Sequence, residues 1–258
     1  MLVHKVGEGL RLVRQNDHAR LSGRLAELWG GGPWAMPVPH REMALGAALH
    51  DLAWTAWDEQ PALREDGTPL AFYEVPRTIT APMYERGIDA VQAIDARAGL
   101  LVSLHYSGLF TSHWGWEPLA DMARMSPQDR EAVERFLENE RERQGLLGID
   151  VGDRHLECAY KWLQLWDRIS LDVCRHDFDE GWSGGYPPVP VGAKGPDVTL
   201  SIRLEPPNLC LLEPYPLTLE PALEAVPAVI ATPAELRARG GLLSGLREDR
   251  LEVVFRAG

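Results

Sequence analysis

Residues 47–54 read Ala-Ala-Leu-His-Asp-Leu-Ala-Trp, a mostly apolar stretch that contains an adjacent histidine and aspartate. Apolar residues recur every three or four positions through and around it, which predicts a helix from Glu42 to Trp57. His50 falls on the apolar face of this helix, and Asp51 follows it directly. The stretch therefore predicts a helical protein that buries ionisable side chains.

Three further predicted helices carry an ionisable side chain in an apolar row. They run from Asn16 to Trp29, from Met83 to Leu109 and from Asp153 to Arg175, and they carry His18, His105 and Asp167 respectively. A buried carboxylate is costly unless it is paired or bound to a cation. Imidazoles with carboxylates suit Zn, Mn or Fe, and the oxygen ligands also allow Mg. The set predicts either a site for one or two divalent ions or separate hydrogen-bonded pairs in the core.

The rest of the chain predicts a mainly α protein with a small antiparallel sheet. Two β-prone runs around Gly7-Glu8-Gly9 predict a hairpin within residues 1–14 of a helical domain that extends to residue 180. Residues 181–196 are rich in Gly and Pro and predict a linker. Short apolar runs within 197–258 predict strands of a small β-rich region packed on the helices, with the hairpin as a candidate addition to its sheet.

Charge and composition restrict the classes of partner. The chain has 258 residues and a formal net charge of −12, which disfavours nucleic acid polymers and anionic membranes as partners. No run approaches the roughly 18 apolar residues of a membrane span, and the start lacks the features of a signal peptide. These observations predict a cytoplasmic protein with a small-molecule substrate, and they leave a homo-oligomer open.

The order of the ionisable residues resembles the H…HD…D signature of the HD-domain metalloproteins. The matching positions are His18, the pair His50-Asp51, and Asp167 on a late helix. This resemblance implies an HD-like helical bundle in which these four residues bind a divalent metal, most often for phosphoester hydrolysis. His105 and His113 match the two extra histidines of members that hold two metals.

A narrower resemblance is to the family known as domain of unknown function 3891. It rests on Gln15-Asn16-Asp17-His18 leading into Leu28-Trp29-Gly30, on His50 to Trp54 through Trp57-Asp58, and on Ser103-Leu104-His105-Tyr106-Ser107. It covers most of the chain and implies no established activity. The chain also departs from the wider HD signature, because Leu52-Ala53-Trp54 stands where a basic residue often follows the HD pair.

The HD-domain resemblance implies a metal-dependent hydrolase that attacks a small phosphoester or nucleotide with metal-activated water. Asp58 is the candidate carboxylate for proton transfer or ligand support, and Arg20 is a candidate phosphate contact. Trp54, Trp57 and Trp114 are candidates for stacking on a planar substrate.

Two other functions stay open. The six-residue set that includes His105 and His113 also resembles the ligand set of HD-type di-iron oxygenases. The third candidate is a non-catalytic ligand-binding or partner-binding module, in which the polar cluster serves fold specificity alone.

Overall fold

The computed structural model describes residues 1–111, 122–147 and 154–258. Eight α-helices and nine strands are found in these ranges. The helices are α1 (Gln15–Leu28), α2 (His40–Leu49), α3 (Thr55–Glu59), α4 (Arg77–Ile94), α5 (Ala96–Thr111), α6 (Pro127–Leu146), α7 (Arg154–Arg175) and α8 (Pro233–Ala238). The strands are β1 (Leu2–Val6), β2 (Gly9–Val13), β3 (Trp182–Gly185), β4 (Val189–Pro190), β5 (Asp197–Val198), β6 (Ser201–Glu205), β7 (Leu209–Glu213), β8 (Ala222–Ala231) and β9 (Arg247–Ala257).

Seven of the strands form one large mixed sheet in the order β1-β2-β8-β9-β7-β6-β3. Strands β7 and β9 are parallel, and every other pair in this sheet is antiparallel. Strands β4 and β5 form a separate two-stranded sheet. The predicted fold class, a mainly α HD-like bundle with a small antiparallel sheet, is therefore wrong. The sheet is a major part of the molecule, and it is not purely antiparallel.

The size of the sheet escaped sequence analysis in part because one of its two long internal strands, β8, contains a proline. Strand β8 carries Pro227, a residue that lacks an N–H group and normally argues against a central strand. β2 pairs only with residues 229–231 of β8, so Pro227 faces a strand partner on one side only, at Arg250 of β9. The missing N–H group is therefore tolerated.

Both ends of the chain contribute to this sheet. The hairpin formed by β1 and β2 pairs with β8 through Leu10, Arg11 and Leu12. The predicted linker at residues 181–196 contains β3, which pairs with β6 at the opposite edge. The predicted division at this segment stays a prediction about folding units.

The helices and the sheet enclose one continuous apolar core. Trp29, which directly follows α1, and Trp166 of α7 lie in it together with Phe255 of β9, and all three are fully buried. A second, smaller apolar cluster packs α8 against strands β2 and β8 through residues such as Leu12 and Leu236. Helix α1, which carries His18, packs against β8, and helix α7, which carries Asp167, packs against β1. The sheet therefore helps to position both helices.

Two of the predicted long helices are interrupted. α2 ends at Leu49, and Asp51 has φ −106° and ψ 21°, outside the helical region, before a short 3-10 turn at Leu52–Trp54. The helix predicted from Met83 is broken at Asp95, whose Oδ1 accepts hydrogen bonds from the amides of Arg97 and Ala98 at 2.9 Å each. A local side-chain cap competes successfully with helix continuation at this point.

None of the described helices combines the length and the apolar character that crossing a membrane would require.

Candidate metal centre

Five ionisable side chains from four separate segments of the chain converge in the interior. His18 lies on α1, His50 directly follows α2, His105 lies on α5 and Asp167 lies on α7. The break after α2 adds Asp51 to the same place. The three histidines are at most 4% exposed, and the side chain of Asp167 is 15% exposed. The structure thus brings together five of the six predicted ligands, and His113 lies outside the described residues.

Asp167 is the centre of this cluster. Its Oδ1 lies 3.2 Å from His18 Nε2 and 3.3 Å from His50 Nε2, and its Oδ2 lies 3.9 Å from His105 Nε2. Asp51 Oδ2 lies 3.5 Å from His18 Nε2 and 3.7 Å from His50 Nε2. Two overlapping triads result, His18-His50-Asp51 and His50-His105-Asp167, in each of which the potential ligand atoms lie within 4.8 Å of one another.

The tautomer of His50 in its neutral form is fixed by the backbone. Nδ1 lies 2.8 Å from the carbonyl oxygen of Ala47, which can only accept, so Nδ1 carries a proton and donates it. The Nε2 atom therefore carries the lone pair when the ring is neutral. It is buried, makes no hydrogen bond in spite of its closeness to Asp167, and faces the two carboxylates. A histidine whose other nitrogen is held by a carbonyl is the usual arrangement of a metal ligand.

The electrostatics of the cluster favour a positive charge at its centre. Burial opposes charge on His50, but the carboxylates of Asp51 and Asp167 outweigh it and raise its pKa to about 9. Burial likewise opposes charge on Asp167, yet His50 and His18 hold the pKa of that carboxyl well below its usual range. Burial and the neighbouring His50 lower the pKa of His105 to about 4. A proton on His50 thus occupies a position where the surrounding groups stabilise a cation.

Two neutral donors fix the orientation of Asp51. Gln15 Nε2 donates to Oδ2 at 3.1 Å, and the Tyr106 hydroxyl donates to Oδ1 at 3.2 Å. Asp58 does not contact Asp51 directly. It accepts a hydrogen bond from the backbone amide of Gln15 and pairs with the Met1 amino group at 2.9 Å. Asp58 is fully buried and does not line the cavity described below, so its contact with the cluster runs through Gln15.

A cavity of about 340 Å³ opens onto the cluster. Trp54, one of the candidate substrate contacts, lines this cavity. Trp57 does not line it and packs against Trp54 at a ring-centroid distance of 6.5 Å. Arg20 does not line the cavity; it is exposed on α1 and pairs with Asp17 at 2.6 Å. Trp114 lies outside the described residues.

Several lining residues were missed by sequence analysis. They are Gln15, Tyr84, Tyr106, Gln164, Arg168 and Arg175. For three of them the signal was present, because Gln164, Asp167, Arg168, Leu171 and Arg175 are spaced three, four or seven residues apart on one face of α7. These polar positions lie beside the apolar row of the helix, which by itself gives no reason to assign them to a site.

The sequence profile of the family described as Protein of unknown function (DUF3891) matches residues 1–228. This match covers most of the chain and includes every residue of the cluster. The chain belongs to the DUF3891 family. Helices α1 to α7 lie inside the span that defines DUF3891, and so do Arg168 and Arg175, whereas β9 lies beyond it. No curated protein and no solved structure matches the chain significantly.

Proposed function

We propose that the cluster is a metal centre in which His18, His50, Asp51 and Asp167 hold a divalent ion of Mn, Fe, Zn or Mg. The observation that carries this proposal is the state of His50, whose Nδ1 is engaged by the Ala47 carbonyl while its buried Nε2 faces two carboxylates without a hydrogen bond. Two carboxylates and two imidazoles match the donor chemistry of these ions. The order of the same four residues resembles the HD-domain signature, which supports the proposal further.

The geometry favours one ion over two. Both triads include His50, and one imidazole nitrogen has a single lone pair and serves one ion only. His105 lines the cavity as a fifth potential donor, and its lowered pKa keeps it neutral at pH 7.

We propose that the reaction is hydrolysis of a small phosphoester. A bound divalent ion would lower the pKa of a coordinated water to as low as about 7 and would so supply a nucleophile near neutral pH. Gln15 and Tyr106 hold Asp51 in one orientation, and Asp58 holds Gln15. The cavity has the volume of a small-molecule site.

A small phosphoester is favoured over a nucleotide because the aromatic wall has little surface for stacking. Trp54 is 1% exposed, and its ring is met edge-on by Trp57, Phe72 and Tyr84. One face of Tyr84 is covered by Tyr106 at a centroid distance of 4.0 Å. A nucleobase would need an open aromatic face.

Metal analysis of two matched variants tests the proposal. Asp167→Asn and Asp172→Asn remove buried carboxylates from the same helix, but only the first belongs to the cluster. We expect roughly one ion per chain in the unmutated protein and in Asp172→Asn, and none in Asp167→Asn. The proteins are purified without a histidine tag or chelator and analysed for Mn, Fe, Zn and Mg.

Two results would contradict the proposal in different ways. An unmutated protein that takes up none of the four metals supports the non-catalytic module instead. Two irons per chain with oxygen consumption would replace the hydrolase by the di-iron oxygenase. Phosphatase assays of the metal-loaded protein with p-nitrophenyl phosphate and bis-p-nitrophenyl phosphate then test the reaction itself.

A further inference from the structure

One face of helix α7 carries two positive charges along the cavity. Arg168 and Arg175 both line it, on the same helix as Asp167. They are seven residues apart, which is about two turns or 10 Å along the helix axis. The side chain of Arg168 is 53% exposed and Arg175 is also exposed, so the pair lies where the cavity meets solvent.

These arginines have little internal neutralisation. Arg168 Nε lies 3.9 Å from Asp172 Oδ2, but that oxygen already accepts a hydrogen bond from Tyr186 at 2.9 Å. Among the residues that the structure describes, no carboxylate lies within 4.0 Å of the Arg175 guanidinium. Other arginines of this acidic chain have close partners, such as Asp17 for Arg20 at 2.6 Å. An unneutralised guanidinium beside a cavity is suited to bind an anionic ligand.

A third group on the same face lacks a hydrogen-bond donor. Gln164 lines the cavity, and its Nε2 donates to the hydroxyl of Tyr160 at 3.0 Å. Its Oε1 is buried and has no partner among the described residues. Buried acceptors in native proteins are nearly always satisfied, so this oxygen calls for a donor from a ligand or from water.

We propose that Arg168 and Arg175 form an anion subsite that holds a second anionic group of the substrate, with Gln164 accepting a hydrogen bond from a hydroxyl group of the same molecule. This inference rests on the proposed function and narrows it. The substrate class is a small phosphoester that carries a hydroxyl group and a further phosphate or carboxylate, with the scissile phosphoester at the metal and the second anion at the arginines.

Calorimetric titration with inorganic phosphate and with malonate tests the subsite and distinguishes its two anion classes. The protein is titrated as purified, and again after a chelator has been added and dialysed away. The variants are Arg175→Gln, Arg168→Gln and Arg175→Lys. Arg20→Gln is the matched control, because Arg20 is also exposed and helical but is absent from the cavity lining.

We expect Arg175→Gln and Arg168→Gln each to weaken binding of the preferred anion about tenfold or more, since a charge-assisted hydrogen bond is lost. Arg175→Lys retains the charge and loses the planar fork, so a smaller loss is expected. The effect should persist after metal removal, and Arg20→Gln should change nothing. Thermal unfolding by circular dichroism checks that each variant is folded.

The inference is overturned if the arginine variants bind both anions as tightly as Arg20→Gln does, or if neither anion binds to the metal-free protein. Both results leave the metal analysis untouched, so the proposed function would survive them. Conversely, a protein that binds no metal but shows arginine-dependent phosphate binding would refute the hydrolase and retain the anion subsite.

Discussion

Asp167 and Asp172 lie five residues apart on helix α7, and each has a largely buried side chain. Around Asp167, burial is opposed by His50 and His18, which hold its pKa well below the usual range. Around Asp172, burial prevails over the Tyr186 hydroxyl and the nearby Arg168, and the pKa is raised. The neighbours of these two carboxyl groups on one helix thus shift their pKa values in opposite directions.

This difference shows which buried carboxylate is suited to hold a cation. Asp167 remains charged because three imidazoles surround it, and those imidazoles are themselves potential ligands. Asp172 has one tyrosine hydroxyl as its short contact, and it joins helix α7 to the loop that follows β3. The first environment favours a charged carboxylate beside potential metal ligands, and the second is a structural hydrogen bond.

The largest expected effect is the stability cost of removing each carboxylate. Asp167→Ala should lower the free energy of unfolding of the metal-free protein by about 3 kcal/mol, because it breaks a buried charge cluster. Asp172→Ala should cost about 1 to 2 kcal/mol, since it removes a hydrogen bond from Tyr186. Urea denaturation measures both values. Equal costs would mean that the two environments do not differ as described.

The second largest expected effect is the stabilisation by added metal, which should depend on Asp167 and not on Asp172. At a concentration of 100 times its Kd, Mn²⁺ should raise the free energy of unfolding by about 2.7 kcal/mol in the unmutated protein and in Asp172→Asn. Asp167→Asn should show no such gain, because its central ligand is lost. A gain of the same size in Asp167→Asn would place the ion elsewhere.

Two tyrosines allow a finer comparison, because each donates to one of the buried carboxylates. Tyr106 donates to Asp51 at 3.2 Å, and Tyr186 donates to Asp172 at 2.9 Å. Tyr106→Phe should weaken metal binding about tenfold by releasing the orientation of Asp51. Tyr186→Phe should leave metal affinity unchanged. Competition with a fluorescent chelator measures both affinities, and a similar loss in both variants would contradict a specific role for Tyr106.

The smallest expected effect is a pH dependence that arises from Asp172. A carboxyl with a raised pKa in the folded state contributes stability that is complete below its unfolded pKa of about 3.9 and is lost as pH rises through the folded value. Asp172→Asn cannot ionise, so its stability should fall less than that of the unmutated protein between pH 4 and pH 7. Urea denaturation across this range tests the sign, and parallel curves would refute it.

The cluster was accessible to sequence analysis because helical periodicity is a local signal. His18, His105 and Asp167 each interrupt an apolar row at spacings of three and four, which identifies buried positions without knowledge of the tertiary structure. Arg168 and Arg175 share one face of α7 with Asp167, but an exposed arginine does not interrupt an apolar row, so neither residue was singled out. Only the placement of α7 beside the cavity gives them a role.

The sheet was underestimated for the opposite reason, since its pairings join distant parts of the chain. Leu10 of β2 pairs with Ala231 of β8, and no local pattern encodes a contact across such a separation. Pro227 also argues locally against a strand at the position of β8. The buried contact of Asp58 with the Met1 amino group is equally non-local, and the role of Asp58 in proton transfer or ligand support stays a prediction.

The position of β9 has a consequence for how the protein folds during synthesis. β9 lies between β8 and β7 in the sheet, yet it is made after all the other strands. Until β9 emerges from the ribosome, β8 and β7 have no strand between them with which both can pair. Before that point, the sheet can form only as two separate parts, β1-β2-β8 and β7-β6-β3, each with an unpaired edge. We expect the joining of these parts by β9 to be a late and slow folding step, because it depends on long-range contacts.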